Sequence, residues 1–106
     1  MTNTERDAAA VETLGAALCA VARAKRDHQR AIDRDPDGLG IDPAVEAARL
    51  AGAVAHNHVV DLSWMIHAYA GAKRADAVRA EANRYRNASL LCAGWNTETV
   101  AALLTY

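Results

Sequence analysis

Three carboxylates spaced two residues apart, Asp33, Asp35 and Asp37, followed by Gly38, open the stretch DRDPDGLGID (33–42) as a calcium-binding loop between two helices opens. Such a loop takes oxygen ligands from positions 1, 3, 5, 7 and 12 and a glycine at position 6 for the sharp turn. Counted from Asp33, positions 1, 3, 5 and 6 match. The apolar residue that should stand at position 8 comes one late, as Ile41, and Ala44 stands where the bidentate closing Glu belongs. Glu46 lies two residues beyond, and Pro36 stiffens the loop. Asp-Pro-Asp-Gly is also ordinary turn chemistry, and Asp42 is well placed to cap the helix that follows. The three aspartates are thus a candidate Ca²⁺ site without its closing ligand, or a polar turn that neutralises the basic run beside it.

The histidines His28, His56, His58 and His67 invite a metal or catalytic reading. Their spacing opposes it. His56 and His58, two apart, point to nearly opposite sides of a helix. His56 and His67 share a side but lie about 16 Å apart along the axis. No His-x-x-x-His and no Glu-x-x-His is present, so neither common helical metal signature occurs. His58 and Asp61 do share a face, within an apolar stripe that includes Val54 and Met65. An imidazole held by a carboxylate is a general-base arrangement, and equally a satisfied buried polar pair. Ser63 and Cys92 lack a placeable base, and there is no glycine-rich phosphate loop. The expectation is a protein that is not an enzyme and has no cofactor, Ca²⁺ aside.

Formal charge is −1, from 12 basic and 13 acidic residues, so no global field steers the chain to nucleic acid or membrane. The distribution is uneven. RAKRDHQRAIDR (23–34) and KRADAVRAEANRYR (73–86) hold ten of the basic residues, and residues 33–46 hold five acids. In an up-down-up arrangement with turns near residues 38 and 71, Arg84 and Arg86 come level with about residues 55–60, which in turn sit near Leu18–Val21. Arg23, Lys25, Arg26, Arg30, Arg79, Arg84 and Arg86 would then line one elongated basic face, with Tyr85 beside it, suited to a nucleic-acid backbone without base reading. Interleaved Asp27, Asp76 and Glu81 also fit a solvated face with pairs inside each helix.

Near the C-terminal end, LLCAGWNTETVAALL (90–104) resembles the helix-turn-helix pattern of transcription regulators, with Gly94 in the turn and Trp95, Val100 and Leu103 at apolar positions. Leu90 stands where that pattern has a small residue, and the second helix carries Glu98 and no Lys or Arg, so phosphate contacts would have to come from elsewhere. A capped helix folding back on the rest explains the same residues. Leu90, Leu91, Trp95, Leu103 and Leu104 form the richest apolar patch in the sequence, and they are the expected contact for a second copy or another protein.

These residues need elements to position them. At 106 residues the chain is one domain, residues 1–106, and 52% hydrophobic content points to a folded protein. Alanine is frequent and Phe absent. Alanine favours helix but brings little buried area, which suits close helix packing that draws on partners. Val11, Leu14, Leu18, Val21, Lys25, His28 and Ile32 recur at helical spacing within residues 4–34, with Thr4 or Asn3 as cap. Asp42 caps a second helix over 43–70, with Pro43 in its first turn. That helix has two apolar seams, one through Val45, Val59, Leu62 and Ile66, the other through Ala47, Leu50, Val54, His58 and Met65. A helix apolar on two sides is expected at the centre of a bundle. Gly71 separates it from a third helix over 73–93, unless the two run on as one. Asn96 caps a short fourth helix, with Trp95 stapled on Val100.

The fold expected is all-α: an antiparallel helical hairpin extended to a three-helix bundle with a short fourth C-terminal helix. The polar start of the chain argues against a signal peptide, no apolar run approaches a membrane span, and Cys19 and Cys92 read as reduced core thiols. The expectation is a cytoplasmic binding protein, a subunit or adaptor of an assembly.

Overall fold

A computed structural model describes residues 2–35, 37–39 and 41–103. Four helices follow one another: α1 (Asn3–Asp33), α2 (Pro43–Ala70), α3 (Ala72–Cys92) and α4 (Thr97–Ala102). No strand occurs among the described residues, so the all-α bundle stands. Each boundary has a local cause. Thr2, not Thr4 or Asn3, caps α1: its hydroxyl accepts from the Glu5 N–H at 3.1 Å. The Asp42 carboxylate accepts from the Ala44 N–H at 2.8 Å, and Pro43 needs no donor in the first turn. Gly71 has φ +82, which only glycine adopts without strain, and this one residue ends α2 and starts α3. The two are therefore separate helices. The Asn96 side chain accepts from the Glu98 and Thr99 N–H groups and opens α4.

The chain runs up, down and up. Arg74 at the start of α3 meets Asp7 near the start of α1, and farther along Cys19 reaches the Arg86 carbonyl. The centre, however, is α1 and not α2. Helix α1 packs along both α2 and α3, which touch each other far less. Leu14, Leu18, Ala10 and Ala17 of α1 form the main core with Val59 and Ile66 of α2 and Val78 and Ala82 of α3. A second core joins Cys19 and Ala22 of α1 to Leu90 and Val100, closed by Trp95 and Leu103. Of α2 only Val45, Val59 and Ile66 are fully buried. Its second seam lies outside: Leu50 is 51% exposed, Val54 71% and Met65 62%. Helix α1 buries small and apolar residues against both neighbours, and no element among the described residues covers α2's far side.

Close approach of α3 depends on Gly15. A Cβ there would lie 2.9 Å from Tyr85 Cγ and 3.1 Å from its Cβ, with Cδ1 closer still. These atoms sit near the backbone and cannot swing away cheaply. We therefore expect Gly15→Ala to destabilise by about 1–3 kcal/mol, the overpacking cost outweighing the ~1 kcal/mol that alanine gains in a helix. The double change with Tyr85→Ala should recover most of that loss, as read from urea midpoints.

The open ends of α1 and α3 are pinned by Asp7 and Arg74, a two-pronged pair at 2.7 and 3.2 Å. The Arg74 hydrogen bonds hold the Asp7 carboxyl below its ordinary range. A carboxylate depressed on folding contributes stability above its unfolded pKa, and that contribution disappears as pH falls through the folded value. Asp7→Asn should therefore lower stability at neutral pH and flatten the acid limb of a stability-against-pH curve, the two proteins converging only once pH has fallen through the depressed folded value of Asp7.

Candidate functional site

Beyond the Gly71 turn, helices α2 and α3 meet each other far less than either meets α1, and a cleft opens between them. Its floor is Leu18, Val21 and Lys25 of α1; its α2 wall carries His56, Val59, Val60, Ser63 and Trp64, and its α3 wall Arg79 and Arg86. The cavity is about 480 Å³, within the size range of small-molecule sites. Positions 79 and 86 are seven apart, two helical turns, so both arginines stand on one side of α3. Arg79 Nη1 donates to Ser63 Oγ at 3.3 Å, and that hydroxyl donates onward to the Val59 carbonyl at 2.7 Å.

Arg86 is only 6% exposed. Its Nε donates to Asn87 Oδ1 at 3.0 Å, but its Nη2 is buried with no hydrogen-bond partner among the described residues. Among the described residues no carboxylate pairs with Arg86, whereas Arg49, Arg74 and Arg84 pair with Glu46, Asp7 and Glu81. Burial pushes the Arg86 guanidinium down from its ordinary pKa; the Cys19 thiol offsets this, and the like charge of Arg79 adds to it. Burial likewise raises the Cys19 thiol. A second cavity of about 240 Å³ shares Val21, Lys25 and His56 with the cleft and reaches His28 and Arg49.

The basic residues do not form the single face that the sequence suggests. Arg86 comes level with residues 56–60 and Leu18–Val21, as expected, yet it turns inward. Arg84 points elsewhere and pairs with Glu81. Arg26 lies over the Trp95 ring, its guanidinium carbon 4.1 Å from the centroid. Arg23 and Arg30 remain exposed on α1, and Arg23 borders an outer groove with Asp27. Tyr85 is spent against Gly15. Only Lys25, Arg79 and Arg86 gather, and they gather in the cleft.

Other expectations are also redrawn. His58 and Asp61 are exposed, with no hydrogen bond between them among the described residues, so the buried pair does not form. His67 makes a ring contact with Trp64 instead, centroids 6.2 Å apart. Asp33 is still helical and accepts from the Gln29 amide at 2.9 Å. Among the described residues no three His, Cys, Asp or Glu side chains come together in a way that could hold a metal ion, so Asp33, Asp35 and Asp37 are not gathered round one point. Pro36 and Gly40 lie outside the described residues. Cys92 is exposed rather than packed.

The C-terminal patch is largely consumed within the chain. Leu90 is fully buried, Trp95 and Leu103 pack on the second core, Leu91 remains 43% exposed, and Leu104 lies outside the described residues. Exposed apolar surface gathers instead on α2. Leu50, Val54, Met65 and Tyr69 line its outer side, beside grooves shared with α1. One groove, about 430 Å³, runs between Ala9, Ala10 and Thr13 on one bank and Leu62, Met65 and Tyr69 on the other. Another, about 390 Å³, is lined by Ala20, Ala24, Ala48, Ala51 and Ala55. The signal for this face was present as the second seam of α2. Among the described residues no helix is long and apolar enough to cross a membrane. Comparison with protein-family models, with curated proteins and with solved structures finds no match to this chain.

If the C-terminal patch is core, Leu90→Ala should cost about 2–5 kcal/mol, the range for emptying a leucine site. Its oligomeric state in sedimentation should not change. A variant as stable as the parent, or one that changes association alone, would return the patch to the surface.

Proposed function

We propose that this chain is a non-enzymatic helical binding protein, a subunit that assembles through the outer face of α2, and that its first partner is a second copy of itself. The observation that carries this is the uncovered seam. Leu50, Val54 and Met65 are more than half exposed on one side of a regular helix, an apolar seam of the kind that marks a contact surface. The area agrees. The chain exposes 6995 Å² at 11.3 kDa, where a compact protein of that mass exposes about 5,700 Å². The surplus, about 1,300 Å², is larger than the roughly 800 Å² that each partner buries in a standard interface.

Self-association fits better than an arbitrary partner because the seam is complementary to itself when reversed. With two α2 helices antiparallel about the 59–60 midpoint, Leu50 falls opposite Tyr69 of the second copy. Val54 then faces Met65, Ala51 faces Ala68, and His58 faces Asp61. This is an isologous contact: each apolar pair occurs twice, and so does the histidine–aspartate pair. The alanine-lined grooves let the two backbones approach, as small residues do between helices. The partly exposed His58 and Asp61 then acquire a use as cross-partner neighbours that set register, the role in which polar interface groups are best attested.

Analytical ultracentrifugation tests this reading. The parent should sediment as a dimer, and Val54→Asp should sediment as a monomer with unchanged helical content and a monomer stability within about 0.5 kcal/mol. A parent that stays monomeric at high concentration, or a Val54→Asp protein that still dimerises, refutes it.

A further inference from the structure

The cleft between α2 and α3 lies on the other side of α2 from the proposed dimer seam, and nothing in the assembly reading uses it. Its chemistry is specific. At its α3 wall stand two guanidiniums, one of them more than nine-tenths buried with a nitrogen that meets no acceptor among the described residues. A buried polar group without a partner is uncommon, and a buried cation without one more so. His56 lines the same cavity but makes no hydrogen bond to that nitrogen, and the rest of the wall supplies it no acceptor. Leu18, Val59 and Val60 are hydrocarbon, and the Ser63 hydroxyl is already engaged with Val59 and Arg79. The indole of Trp64, 70% exposed, stands at the cleft as a flat apolar surface.

We propose that this cleft binds a small organic oxyanion, a phosphate or carboxylate carried on an aromatic or similarly apolar body. The oxyanion is held by Arg86 and Arg79, and the body lies against Trp64 and Val60. Each part of the ligand answers a part of the wall. An oxyanion supplies the acceptor that Arg86 Nη2 lacks, in the planar geometry that arginine recognises. Its negative charge also relieves the repulsion between two like charges that no ion pair among the described residues offsets. The apolar body takes up the exposed indole, and a cavity of about 480 Å³ holds a ligand of that size and not a folded macromolecule. Ser63 positions Arg79, and Lys25 on the floor adds positive potential.

Phenyl phosphate is the probe, with inorganic phosphate and benzyl alcohol separating its two halves. Calorimetry should show one phenyl phosphate per chain, weaker binding of inorganic phosphate, and none of benzyl alcohol. Amide and indole NMR shifts should centre on Ser63, Trp64, Arg79 and Arg86. Arg79→Gln, at a more exposed position, should weaken phenyl phosphate by about tenfold or more, the loss expected for one charged hydrogen bond. Arg86→Met should abolish binding and also raise the urea midpoint of the ligand-free protein, because a buried unpaired charge is replaced by a hydrophobe of similar length. That pairing separates a ligand group from a structural one: were Arg86 needed for packing, Arg86→Met would lower the midpoint. Val54→Asp should bind phenyl phosphate as the parent does. The proposal is overturned if phenyl phosphate does not bind, if Arg79→Gln binds it undiminished, or if Arg86→Met is less stable than the parent. It is equally overturned if a single-stranded oligonucleotide binds across the basic residues while phenyl phosphate does not.

Discussion

One helix has to serve as the core for the two beside it. Helix α1 presents Leu14, Leu18, Ala10 and Ala17 to one packing layer and Cys19 and Ala22 to another. An alanine-rich surface lets neighbours approach but buries little area per residue, so two such contacts are needed where one leucine-rich contact would suffice. Because both neighbours lean on α1, they meet each other only slightly, and apolar surface of α2 is left uncovered. The 54 × 27 × 21 Å shape, the cleft and the bare side of α2 are consequences of that single arrangement. Gly15 is where it is tightest, since Tyr85 occupies the space a side chain would need.

Polar contacts act at the ends of this frame rather than within it. Asp7 and Arg74 close the end where α1 and α3 begin, and Arg26 stacked on Trp95 closes the other, where α4 folds back. The Asp7–Arg74 pair is more shielded from water than Arg49–Glu46 and Arg84–Glu81, and so is less weakened by solvent. Between the two ends the charge that matters is a buried one with no ion pair among the described residues. Arg86 stands in the same α3 row as Val78, Ala82 and Leu90, a row that otherwise packs as hydrocarbon.

Much of this was legible in the residue order. Asp42, Gly71 and Asn96 fix three helix ends by mechanisms that act within a few residues, so local reading suffices there. The up-down-up levels follow from helix rise alone, which is why Arg86 falls beside residues 56–60 as expected. What local reading does not contain is competition between faces. A helix apolar on two sides reads the same whether it is buried or half bare, and α2 gave no sign that α1 would take the central place. Side-chain direction escapes for a related reason. Arginine in a row of apolar positions reads as surface by type and as interior by spacing, and for Arg86 the spacing wins. The same rule applied to Leu90 would have placed it inside, on the Val78–Ala82–Arg86–Leu90 row.

The position of Arg86 also links the cleft to the stability of the frame. Its burial costs free energy in the ligand-free chain, and a molecule that binds only the folded state stabilises it in proportion to the logarithm of its concentration over its Kd. An oxyanion seated on Arg86 and Arg79 would draw on the hydroxyl of Ser63 through Arg79, and so would tie α3 to α2 across the gap where the two helices have little else in common. The divergence of α2 and α3 beyond the core they share around α1 is then what makes the site: had they packed closely along their whole length, there would be neither room for an anion nor a guanidinium nitrogen lacking an acceptor.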